Sequence, residues 1–193
     1  LVNAINENVG QLNKVHKHNF EDYLAYQKVL HSIPILLPGK PDFPQGFSIN
    51  QERNELYLVR QVNGGATAKI SRYSLPDCLL IDTKSFAKSS GSYIEGLPFY
   101  YNNHNELCFL VRTTYENNVA IFNYDRNSLG SNITVRGSLK LGADPNHQYL
   151  ISHIGSASRT EGVYIYDFKS VVNQTPRLIR EVRFGSEIAN GEK

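Results

Sequence analysis

Apolar side chains recur alternately three and four apart through the first thirty residues: Val2, Ile5, Val9 and Leu12, with Tyr23, Tyr26 and Leu30 later in the same frame. That spacing is the a/d seam of a coiled coil, with Val at a and Ile then Leu at d. The positions between are mostly Asn, Glu and Gln, and a helix so polar is not stable alone in water. Residues 1–31 are therefore expected to form a helical stem by self-association. The seam changes character at His16 and Asn19, where the chain reads His16-Lys17-His18.

Residues 32–45 form a neck. Pro34, Pro38, Pro41 and Pro44 cannot sit in a helix interior, and each biases its predecessor towards extended backbone, so the helix is expected to stop near Leu30 or His31.

From Gly46 the apolar period switches to two, the signature of half-buried strands. The runs are 47–49, 55–62, 68–75 and 78–82, then 97–101, 106–115, 119–125 and 133–141, then 148–153, 162–168 and 177–184. Turn residues such as Asn63-Gly64-Gly65, Asn102 to Asn105 and Pro145-Asn146 punctuate them. No stretch beyond the first thirty residues reads as helix.

The runs repeat. Asn54-Glu55-Leu56 matches Asn105-Glu106-Leu107, with His147-Gln148-Tyr149-Leu150 in the third place. Downstream, Tyr73, Tyr124 and Tyr166 hold equivalent positions, 51 and then 42 residues apart. About four short strands per unit of that length is the arithmetic of propeller blades; the competing architecture is a β-sandwich of hairpins. Residues 46–193 are thus expected to be three blades of a β-propeller. Closed propellers typically have about four to eight blades. Together with the lack of methionine even at position 1, this points to a piece of a longer chain.

Composition narrows the chemistry. Twenty Lys and Arg against eighteen Asp and Glu are spread evenly, which argues against nucleic acid or a membrane surface as partner. No apolar run is long enough to span a bilayer, and no secretory signal is visible at the N-terminus. Two sequons, at Asn132 and Asn173, are read as chance. Cys78 and Cys108 fall in strand-like runs and read as buried free thiols. Catalytic motifs are lacking: there is no G-x-S-x-G, H-E-x-x-H or phosphate-cradling glycine loop. The chain is read as a non-enzyme.

Two candidate sites remain. In a locally extended segment, His16 and His18 share one face. Three chains around a common axis would then offer six imidazole nitrogens, an octahedral cage for a first-row metal such as iron. The alternative is a polar layer that sets register, with one exposed histidine. In the β region, twelve tyrosines stand beside loops rich in Asn, Ser and Gly. Aromatic faces flanked by fixed polar groups suit a ring-shaped polar ligand such as a sugar. Tyr100, Tyr101, Arg112 and Tyr115 are the candidates, with blade core as their competing role. His104, His147 and His153 lie near turns and read as plain hydrogen-bonding residues.

A polar heptad stem with His16-x-His18, a proline-rich neck and blade-like repeats resembles the receptor-binding proteins of tailed phages that infect Gram-positive bacteria. The segment NAINENVGQLNK is similar to helical linkers of phage tail proteins. The staphylococcal siphophage type, with a trimeric stem leading into a five-bladed platform, is the form it most resembles. That resemblance implies a homotrimer in the virion's tail baseplate, docked to other baseplate proteins and binding cell-wall teichoic acid or its sugar decorations. It also implies that His16 and His18 are the stem metal site. A glycan-cleaving propeller enzyme and a protein-interaction scaffold are the alternatives.

Overall fold

The computed structural model describes residues 43–90, 92–114, 117–137, 140–154 and 162–183. The chain divides into two units between Ile33 and Pro34, and every described residue belongs to the second. The heptad segment, with His16 and His18, lies outside the described residues, as does Tyr115.

The described chain is mainly β. The first sheet runs β1 (Phe43–Asn50), β2 (Glu55–Val62), β3 (Thr67–Ser74) and β4 (Leu80–Ala87) in sequence order. The second repeats the arrangement with β5 (Phe99–Tyr101), β6 (Leu107–Arg112), β7 (Asn118–Asn123) and β8 (Ser128–Thr134). The third is built from β10 (Tyr149–Ile154), β11 (Gly162–Asp167) and β12 (Leu178–Arg183), with β9 (Lys140–Ala143) beside β10. All strand pairs within the sheets are antiparallel.

The repeat is visible in backbone conformation. Asn54, Asn105 and His147 open the second strand of each unit in the left-handed region, at φ of 53, 58 and 52°. Cys78, Asn127 and Gln174 do the same between the third and fourth strands, at 52, 52 and 62°. Asparagine tolerates that region better than most residues. Ahead of the first set stands an Asn or Asp whose side-chain oxygen accepts backbone N–H groups: Asn50 from Arg53, Asn102 from His104 and Glu106, Asp144 from Asn146 and Tyr149. These local bonds satisfy the turn without tertiary help.

The sheets stack face to face. Tyr57, Val59, Ile70 and Phe86 of the first pack against Leu107, Phe109, Val111 and Phe122 of the second. The opposite face of the second, with Leu110, Val119 and Ile133, packs against Leu150 and Tyr166 of the third. All six residues of β6 are consequently buried. A strand covered on both faces reads as a continuous apolar run, which is why LCFLV lacks alternation.

Several boundaries differ from the sequence reading. β1 begins at Phe43, so Pro44 lies within a strand. An edge strand with a bulge between Pro44 and Gly46 can spare the missing N–H. β4 runs on to Ala87, paired with β3 throughout; its 83–87 half buries only Phe86, too weak an apolar pattern to read as strand from the sequence. Cys78 stands in the turn before it, half-buried, while Cys108 is fully buried; both are free thiols. The expected strand at 133–141 is two strands, β8 and β9, separated by a turn at Gly137 (φ +76°). Finally, Phe168–Val172 is a short helix, α1, where only strand was expected. Asp167 caps it, accepting the Ser170 N–H at 2.8 Å, and Phe168 and Val171 face the core.

Candidate functional site

The first strands of the three sheets, β1, β5 and β9, converge. Gly96 is the point of closest approach: at φ +138° it sits in a region open mainly to glycine, and a Cβ there would overlap the Leu141 carbonyl oxygen. A Cβ on Gly46 would in turn lie 2.7 Å from the Gly96 nitrogen. The Leu141 N–H donates to the Glu95 carbonyl at 3.3 Å, and Ser48 Oγ donates to the Leu97 carbonyl. The junction is therefore backbone against backbone.

At this junction opens a groove of about 890 Å³. Its aromatic wall is Phe99, Tyr100, Tyr101, His147 and Phe168, and its polar groups include Asn50, Gln51, Glu52, Asp144 and Lys169. The size is that of a small-molecule or oligomer site, and a few placed polar groups among aromatics is the usual composition of one.

Strand alternation sends Tyr100 and Tyr101 to opposite faces of β5. Tyr101 turns to the first sheet: the buried Asn50 amide donates to its hydroxyl at 2.7 Å, and the Arg53 guanidinium lies 4.8 Å over its ring. Phe99 meets it edge-on at 6.4 Å. Tyr100 turns to the third sheet, with Phe168 edge-on at 5.7 Å. Burial, and then the neighbouring Cys108 thiol, push the Tyr100 hydroxyl far above its ordinary pKa, so it is a neutral donor. His147, held in the left-handed turn, bridges the two sides, 6.1 Å from Phe99 and 5.0 Å from Phe168.

Among the carboxylates of the rim, Asp144 accepts the Tyr149 N–H at 2.6 Å and the Asn146 N–H at 3.1 Å. Those backbone donors hold its pKa below the usual carboxylate value, so it stays ionised while bracing the turn. Glu52 and Lys169 are exposed at the mouth.

Two other polar clusters lie apart from the groove. Between the first and second sheets, Arg72 forks onto Asp82 at 3.2 and 3.1 Å and reaches Glu55 at 3.4 Å, while Tyr57 donates to Glu55 and Tyr124 to Asp82. Every charge there has a partner. Near the far end of β6, the buried Lys88 ammonium donates to the Ser92 carbonyl, and to Ser92 Oγ at 3.2 Å. Burial, then the Arg112 charge, lower its pKa to about 8.

Of the four residues singled out from the sequence for ligand binding, Tyr100 and Tyr101 line the groove. Arg112 is buried at the other end of β6, beside Lys88. Tyr115 and the His16–His18 pair fall outside the described residues. Among the described residues, no cluster of three or more His, Cys, Asp or Glu is arranged to hold a metal, and no helix is long and apolar enough to cross a membrane. Asn50 and Asp144 were not singled out from the sequence, and His147 was read only as a histidine near a turn; the signal available was that each stands at the first turn of its repeat. The sequence matches no family model and no curated protein.

Proposed function

We propose that this chain is the host-attachment module of a phage tail, binding a cell-wall glycopolymer in the groove where β1, β5 and β9 meet. The observation that carries this is the groove's composition: an aromatic wall for the apolar face of a sugar ring, with the Asn50 amide, Tyr hydroxyls and carboxylates of the rim for its hydroxyls. Three stacked sheets with converging first strands support reading each as a propeller blade, the groove then lying along the propeller axis. In this reading residues 1–31 are a trimeric stem clamped by an iron held on His16 and His18, outside the described residues. Three copies on one stem raise weak sugar affinities by effective concentration.

The test is binding of purified teichoic acid, with and without its sugar decorations, by wild type and by Tyr101→Ala and Asn50→Ala. Tenfold or greater loss in both folded variants is expected from removing a stacking face or a buried amide, each worth on the order of 1–3 kcal/mol. Unchanged binding, or no binding by wild type, rejects the reading.

One observation favours a second reading, a glycan-cleaving enzyme: the carboxylates of Glu52 and Asp144 line the same groove. Asp144 is braced in its turn and held ionised, which suits it to the nucleophile or base part of such a pair. Release of reducing ends or sugar–phosphate fragments on incubation with the polymer separates this from attachment.

A further inference from the structure

Arg72, Arg126, Arg136, Arg177 and Arg183 each meet a carboxylate. Arg53 forms no ion pair with a described residue, although Glu52 precedes it and Glu55 follows two places on. Glu55 is engaged by Arg72 and Tyr57 instead. The Arg53 side chain lies over the Tyr101 ring, its guanidinium carbon 4.8 Å from the ring centre.

One buried residue holds that stack together. The Arg53 backbone N–H donates to Asn50 Oδ1 at 3.4 Å, and the Asn50 amide donates to the Tyr101 hydroxyl at 2.7 Å. Asn50 is 2% exposed, so the backbone and the ring that carry the guanidinium are tied from beneath. Stacking occupies the flat face of a guanidinium, while its N–H donors lie in the plane and point from its edge. Arg53 is exposed, and those side-chain donors bond no described residue.

The cation stands at the groove already described. Tyr101 and Glu52 line its first-sheet bank, and Lys169 lines it from α1 on the third-sheet side. Asp144 is taken up with the Tyr149 and Asn146 N–H groups. Neither groove carboxylate therefore neutralises Arg53.

We propose that Arg53 is a phosphate-binding residue of the groove. The edge of its guanidinium takes two oxygens of a phosphodiester in the bound polymer, beside the sugar held on the aromatic wall. A guanidinium fork matches paired phosphate oxygens, and stacking it on Tyr101 in advance lowers the ordering cost of binding. The inference rests on the attachment reading and adds the chemistry of the linkage: the ligand is an anionic, phosphodiester-linked glycopolymer and not a neutral glycan.

The experiment measures binding of the full chain to immobilised teichoic acid and to an uncharged polyacrylamide carrying the same sugar. Arg53→Ala is expected to lower affinity for teichoic acid by about tenfold or more while leaving the neutral conjugate and the circular dichroism spectrum unchanged. Its residual binding should also weaken less than that of wild type as salt is raised. Arg53→Lys keeps the charge without the fork or the stack, so it should recover only part of the loss. Sugar-free poly(glycerol phosphate) should compete with teichoic acid, and a polyuronate should not. Wild-type affinity of Arg53→Ala for teichoic acid, equal loss on both ligands, or equal competition by the polyuronate overturns the phosphate role and leaves attachment standing. Wild type that binds neither immobilised ligand overturns the attachment reading, and this inference with it.

Discussion

The hydroxyl of Tyr124, in the second sheet, donates to the carboxylate of Asp82, in the first. Arg72 grips both oxygens of that carboxylate and lies over the Tyr124 ring at 5.9 Å. A residue that is 1% exposed thus ties two sheets through one polar bond at the rim of an apolar core. Burial, then the Asp82 bond, push the phenol well above its ordinary pKa, so the proton stays available for donation throughout the accessible pH range.

Tyr124→Phe should lower stability by roughly 1–2 kcal/mol, since it removes a charge-assisted bond but leaves Asp82 held by Arg72. Urea unfolding measures it. Combined with Asp82→Asn, the effect should be less than the sum of the single changes, because both act on the same bond.

Gly96→Ala should prevent the first strands from meeting. The added Cβ collides with backbone at Leu141, which has no flexible side chain to yield, and the φ of +138° is itself disfavoured for alanine. A loss of several kcal/mol, seen as insoluble or molten protein, is expected. Gly142→Ala, with no neighbouring atom within 4 Å of its added Cβ, should fold normally and serves as the control.

Lys88 makes stability depend on alkaline pH. Its folded pKa, about 8, lies below the ordinary lysine value of 10.5. Between those two values the unfolded chain binds the proton and the folded chain does not, so stability rises with pH across that window. Cys108, whose thiol burial raises to about 11 from 9.0, acts oppositely from pH 9 upward. Subtracting the Lys88→Met profile from that of wild type should isolate the rise.

Glu106 acts with the same sign in acid, stability rising with pH between its folded and unfolded pKa values. Asn102, Arg126 and Asn123 donate to its carboxylate at 2.8, 2.5 and 2.9 Å and hold its pKa near 2. Its contribution is fully present above the unfolded value near 4.5 and is lost as pH falls through 2. The carboxyl carbon shift followed by NMR should titrate near 2, and Glu106→Gln should flatten the acid limb of the unfolding profile between those values.

The stem reading predicts metal. Elemental analysis should find about one iron-like ion per three chains in a trimer, lost in the His16→Ala, His18→Ala pair. A metal-free monomer would remove the stem, though not the groove, from the proposed function.

The sequence by itself determined the β class, the threefold repeat and those turns marked by Asn, Gly or Pro, such as 63–65, 102–105 and 145–146, because these depend on neighbours along the chain. An Asn before a left-handed residue closes its own hydrogen bonds, and Leu56, Leu107 and Leu150 mark the same strand position wherever the sheets lie. Tyr100 and Tyr101 were singled out as aromatics beside polar loops, with blade core as their competing role, and both line the groove. What only the tertiary structure decided was which faces meet. Arg112 follows a strand pattern as regular as theirs, yet lies at the buried end of β6, since the position of a strand's end depends on its neighbours and not on its own period. Asn50, Tyr101 and His147 come from three different repeats. They share a groove because Gly46 and Gly96 let three backbones approach more closely than any side chain would permit, and that is a property of the assembled sheets.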